Sequence, residues 1–334
     1  MVIIDSYPAA VILCLITMLC WGSWANTMKL TGRNWFFQLY YWDYSIGVVL
    51  FSLILAFTLG SHGENGRSFL PDLSQAETKN LGYAFLSGTI FNLSNVLLVT
   101  VIDIAGMAIA FPIGVGLALV LGVISGYITK PLGNPWILFT GLACIVLAII
   151  LDGFAYSKIP SQGEKSVTRG ILLSICTGVF MGFFYPLLVN SISPSLINPE
   201  PGKLTPYTAI VFFSIGLLAS SFLWNYYLMR KPLTGPVISG KDYFASGRGK
   251  DHFFGILGGL IWCLGFSLMT LSAEKAGTAI SYGLGQGATM VAVLWGVLVW
   301  KEFKLAPPSV NKWLVIMFCL YLLGLSMIII ARQY

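Results

Sequence analysis

The sequence predicts an all-α integral membrane protein, with ten transmembrane helices forming two inverted five-helix repeats. Three observations predict it. Of 334 residues, 57% are hydrophobic and only 10% are charged, where a soluble domain carries about 25% charged residues. The chain parses into ten apolar runs, each near the roughly 20 helical residues that a bilayer requires. Finally, AGMAIAFPIGVG at 105–116 returns as AGTAISYGLGQG at 276–287, with six identities in twelve ungapped positions. The register continues outward, aligning Gly88 with Gly259 and Lys130 with Lys301. A duplication of an odd number of spans places the second copy upside down relative to the first, and such repeats set a pathway between polar groups near the midplane.

The spans are expected at roughly 8–28, 38–60, 80–101, 104–129, 134–156, 168–190, 205–228, 252–272, 276–300 and 311–332. The repeats are therefore 1–156 and 168–334, joined by a short cytoplasmic linker at 157–167. Span one is read as a helix and not as a signal peptide, because it lacks a basic n-region and a small-x-small cleavage site and carries Asp5. It presents Gly22 and Asn26 on one face beside Trp21 and Trp24. Span two opens in an aromatic belt that contains Asp43. Span three aligns Gly88, Asn92 and Asn95 on one helical face, and Asp103 marks a tight turn into span four.

Span four carries a small residue at every fourth position, including Gly106, Gly114 and Gly122. Small side chains let helix backbones approach closely in lipid, and Gly277 and Gly285 repeat the device in span nine. Asp152 lies about one turn from the end of span five. Span six repeats Gly178, Gly182, Pro186 and Asn190, with Tyr185 beside the proline, and span nine aligns Thr278, Tyr282 and Gln286. An acid inside the membrane is costly and marks function. Asp43 is the candidate proton-coupling group, with an interfacial acid as its structural alternative, whereas Asp103, Glu274 and Glu302 fall at span ends within reach of water.

Basic residues set the orientation. The loops after spans one, five, seven and nine hold 13 of the 19 lysines and arginines, five of them in the loop after span seven. The positive-inside rule places these loops in the cytoplasm and both termini outside, in a plasma (inner) membrane. The net charge of +6 then requires no nucleic acid. All six cysteines lie within apolar runs, where they read as small fillers and not as a disulfide framework. Gly163-Glu164-Lys165-Ser166 lacks the upstream glycine of a phosphate loop. His62 and His252 have no metal-ligand spacing around them. No Ser-His-Asp set, HExxH or paired intramembrane carboxylate occurs, so neither an enzyme, a cofactor nor a metal is expected.

What remains is neutral and polar. Asn92, Asn95, Asn26, Asn190 and Gln286, with Tyr185, Tyr282, Trp21 and Trp24, form the candidate substrate-binding set. Each amide has a structural alternative as a bridge between helices, contributing about 0.6 kcal/mol, and each tryptophan has one as an interfacial anchor. Amides donate and accept together, which suits a neutral solute rich in N–H, C=O or hydroxyl groups.

WDYSIG at 42–47, ILFTGLACIVLAI at 137–149 and GGLIWCLG at 258–265 resemble the ureide permease family of the drug/metabolite transporter superfamily. Its neighbours are the glucose/ribose uptake and rhamnose permeases. The resemblance implies secondary active, proton-coupled uptake of ureides such as allantoin, or of uracil and xanthine. The short linker departs from plant members, which carry a long cytosolic loop with a Walker-type motif. A sugar permease of the same fold is the alternative. An intramembrane enzyme fits less well, since no nucleophile, metal site or acid pair is visible, and so does a lipid scramblase, which would line a lipid-facing groove with polar residues rather than gather them on glycine-bearing helices. The expected partners are a small solute, protons and the bilayer.

Overall fold

A computed structural model describes residues 1–159, 166–232 and 236–334; Gly163, Glu164 and Lys165 of the linker motif lie outside them. Among the described residues ten helices are long and apolar enough to cross a bilayer: Tyr7–Leu30, Phe37–Phe57, Thr78–Ala105, Met107–Thr129, Pro135–Ser157, Val167–Ser191, Pro206–Arg230, Gly249–Ala276, Thr278–Val299 and Val310–Ile330. Each coincides with an expected span. Extramembrane helices add Phe69–Gln75, Gly240–Ala245 and Glu302–Leu305. An isolated bridge between Ile192 and Leu204 is the sole strand-like pairing among the described residues.

The connection between spans three and four differs from expectation. The helix runs through Asp103 to Ala105, and the chain turns at Gly106, with φ at 83°. Gly277, its counterpart in the repeat, turns the chain between spans eight and nine at φ 90°. Positive φ is nearly free for glycine and strained for other residues, so the duplicated AG pair ends one helix and starts the next at both sites.

The chain divides into two compact units. The first comprises residues 1–93 and 184–275, and the second comprises 94–183 and 276–334. Each draws on both sequence repeats. In the first unit spans pack through glycines. A Cβ on Gly88 of span three would fall on the Phe213 carbonyl of span seven, and one on Gly216 of span seven would fall on the Phe85 carbonyl of span three. Spans two and eight reproduce this contact: Gly47 faces the Ile256 carbonyl and Gly259 the Tyr44 carbonyl. In the second unit, Cβ atoms on Gly141 of span five and Gly324 of span ten would each stand 2.8 and 2.7 Å from the other's carbonyl oxygen. Each of these contacts is reciprocal, with a glycine on either helix admitting the other helix's backbone.

Gly88→Ala is expected to lower the thermal unfolding midpoint of the purified protein, because the added methyl meets backbone that cannot yield. Overpacking of this kind costs about 1–3 kcal/mol. Gly82→Ala, on the same helix with nothing within 4 Å of its Cβ, is the control and leaves the midpoint unchanged or slightly raised. Equal behaviour of the two variants would contradict the packing argument.

Candidate functional site

The second unit contains two irregular spans at corresponding repeat positions. Span four opens into a π-helical turn over Ala110–Val115, around Pro112. Gly153 of span five lacks a side chain where the Pro112 ring lies. Span nine breaks between Thr278–Gly285 and Ala288–Leu294, at Gln286 and Gly287. In the repeat alignment this break falls against Val115 and Gly116, the junction of the π turn. Paired interruptions in corresponding transmembrane helices are the best structural pointer to a binding site in repeat-built carriers.

Spans four and nine pack closely along the rest of their length. Gly126 sits against the Ala279 backbone and Gly122 beneath the Tyr282 ring. Tyr282 is fully buried, and its hydroxyl donates to the Met181 carbonyl at 3.0 Å. Gln286 is 8% exposed. Its backbone N–H closes the last turn onto Tyr282, while its side-chain amide makes no hydrogen bond to a described residue. A largely buried glutamine at a helix break, its amide making no hydrogen bond to a described residue, is the chemical feature to explain.

Asn92 contrasts with it. In the first unit its amide donates to Leu217 O (3.1 Å), Ser220 Oγ (2.8 Å) and Ser221 Oγ (3.2 Å), and its oxygen accepts from the Tyr41 hydroxyl at 2.8 Å. Spans two and seven thus hold it from both sides. Asn95 is also buried, in the second unit. Asn26 lies in the final 3₁₀ segment of span one and bonds back to the Gly22 and Ser23 carbonyls. Asn190, one residue from the end of span six, is exposed, and its carbonyl receives the Lys203 ammonium. Tyr185 is fully buried against Phe184 and Phe266.

Trp21 and Trp24 border an aromatic cluster centred on Trp262. Trp21 and Trp262 lie at 5.9 Å with ring planes 7° apart, and Trp24 packs on Tyr44 at 4.8 Å. Phe91, Phe213 and Phe266 surround Trp262 at 4.6, 6.0 and 5.1 Å. Phe91 and Trp262 are repeat counterparts. The signal for Trp262 was its depth: a tryptophan midway along a span is not an interfacial anchor.

Asp43 is 1% exposed. It accepts hydrogen bonds from the Tyr243 hydroxyl and lies 3.0 and 3.1 Å from His252 Nδ1. Trp35 packs on both partner rings. This ties span two to the Gly240–Ala245 helix and to the start of span eight. Asp43 and His252 are 209 residues apart in the chain, so no local spacing in the sequence announces the pair. Burial, and then the bond to Asp43, push the Tyr243 phenol above its ordinary pKa, so it remains a donor across the physiological range.

Comparison with known proteins agrees with this architecture. Ureide permease 1 of Arabidopsis thaliana is 23% identical over 392 aligned positions that cover all of both chains. A putative sugar uptake protein of Enterococcus faecalis is 24% identical over 88% of this chain and 90% of its own. A solved crystal structure shares the fold at a TM-score of 0.64 and 15% identity, covering 98% of each chain. The sequence model described as ureide permease matches residues 40–165 and 158–331. With ten membrane spans, paired helix interruptions and that match over most of its length, this multi-pass membrane transport protein belongs to the ureide permease family.

Proposed function

We propose that the protein is a secondary active transporter that takes up a small neutral solute with adjacent N–H and C=O groups, a ureide such as allantoin or a nucleobase such as uracil. The observation that carries this reading is the uncommitted amide of Gln286 at the break in span nine. A carboxamide offers a donor beside an acceptor, the complement of one –NH–CO– edge of a ureide. Asn92, whose amide is fully engaged, serves in this reading to bridge spans. A thermal-shift screen of the purified protein against allantoin, uracil, xanthine, glucose and rhamnose tests it, since a ligand that binds the folded state raises its apparent stability. Stabilisation by allantoin or a nucleobase is expected. Stabilisation by sugars alone would favour the second reading, a sugar permease, which the likeness to a putative sugar uptake protein supports.

Uptake is driven by protons, and Asp43 is the coupling group; its bonds to Tyr243 and His252 support a carboxylate that latches one end of the first unit. The 13-to-six division of basic residues supports a plasma-membrane orientation with both termini outside and the Asp43 latch facing the cytoplasm. The repeats at 1–156 and 168–334 are inverted relative to each other. Cysteines introduced near Lys241 are therefore expected to resist impermeant labelling in intact cells, while cysteines near Glu64 react. The reverse pattern would invert the topology.

A further inference from the structure

We propose that Asp152, in the second unit, is a proton-binding carboxyl separate from Asp43. Four acids are buried among the described residues: Asp43, Asp72, Asp152 and Asp251. Three are engaged. Asp43 is held by Tyr243 and His252, Asp72 by Arg67 and Thr205, and Asp251 by Arg248 and the Gly32 backbone. Asp152 alone is fully buried with neither oxygen hydrogen-bonded to a described residue. An ionised carboxylate with no donor and no counter-ion is far more costly in a low-dielectric interior than a neutral one. The site therefore calls for a cation.

Among the described residues, the groups that face Asp152 supply none. They are Tyr156 one turn along the same span, Glu302 in the short helix after span nine, and Tyr321 in span ten. The Tyr156 hydroxyl donates to Glu302 Oε2 at 3.1 Å, and Tyr321 pairs with the Thr289 hydroxyl of span nine. Glu302, expected at a solvated span end, is instead half-buried. Gly296 makes room for this arrangement: a Cβ there would lie 2.8 Å from Glu302 Oε2 and 3.3 Å from the Tyr156 hydroxyl. The Tyr156–Glu302 bond thus ties span five, one turn beyond Asp152, to the short helix after span nine. Among the described residues no group of three or more His, Cys, Asp or Glu is placed to hold a metal ion. The proton is the cation that fits.

This inference goes beyond the solute reading and does not depend on it. Infrared difference spectra of the purified protein at neutral pH, without solute, test it. A band from a protonated carboxyl with no strong hydrogen bond is expected. It is lost in Asp152→Asn and kept in Asp43→Asn and Glu302→Gln. Carboxyl-¹³C aspartate shifts the band in the unsubstituted protein, which gives a readout even if Asp152→Asn does not fold. A band that survives Asp152→Asn, or one insensitive to the aspartate label, overturns the proposal. A band that emerges only when sodium is replaced by choline also overturns it, because Asp152 then holds a metal cation. A protein that shows the band but neither binds nor carries ureides, nucleobases or sugars overturns the solute reading alone.

Discussion

Gln286→Leu is expected to weaken ureide binding strongly while leaving folding intact. Two hydrogen bonds to the solute are removed, at about 0.5–1.5 kcal/mol each, and the solute's buried N–H and C=O are left unpaired at further cost. A total of about 2–4 kcal/mol corresponds to roughly 30- to 1,000-fold weaker binding. Because the Gln286 amide bonds no described residue, its removal takes no internal hydrogen bond with it. The unfolding midpoint without solute should stay near that of the unsubstituted protein. Asn92→Leu should behave in the opposite way. It removes the acceptor that the Tyr41 hydroxyl uses and the donor to Ser220 and Ser221 Oγ, so stability falls first and binding falls with it. Equilibrium binding by calorimetry, together with thermal unfolding, separates the two cases. Unchanged affinity in Gln286→Leu would sink the assignment of Gln286 as the solute-reading group.

The contrast between these two amides shows where a sequence is legible and where it is not. The ten spans were legible because a bilayer demands long apolar helices and tolerates few charges. The paired turns at Gly106 and Gly277 lay in the repeat itself, although the first was expected three residues early, at Asp103. Both amides stood out as polar residues on glycine-bearing helical faces. Which of them is committed to the protein depends on partners far away in the chain. Those of Asn92 lie 51 to 129 residues off, and no local pattern encodes them. The pairing of Asp43 with His252 and Tyr243 was hidden for the same reason. The irregularity of spans four and nine was partly legible. Pro112 and the glycine-rich GLGQG disfavour an uninterrupted helix, but the same glycines also read as a packing stripe.

Asp43→Asn is expected to retain exchange of solute and to lose accumulation against a gradient. In the structure the Asp43 carboxyl accepts from the Tyr243 hydroxyl and lies 3.0 Å from His252 Nδ1; when Asp43 is ionised both partners donate to it, and hydrogen bonds to a charged group contribute about 1.5–3 kcal/mol each. Ionised Asp43 thus fastens the Gly240–Ala245 helix and the start of span eight to span two. Protonation removes the charge, turns one oxygen into a donor and loosens that tie. In the proposed reading, a latch that closes when the proton leaves and opens when it binds would couple proton to solute, acting at the cytoplasmic face. Asparagine imitates the neutral acid, so the latch stays loosened at every pH. In proteoliposomes loaded with allantoin, counterflow should continue at a pH-independent rate, while an imposed proton gradient should no longer concentrate the solute. Tyr243→Phe removes one donor and leaves the acid titratable, so accumulation should weaken yet remain pH-dependent. If Asp43→Asn still concentrates solute in response to the gradient, the coupling proton binds elsewhere; if the unsubstituted protein ignores the gradient, transport is facilitated or driven by another ion.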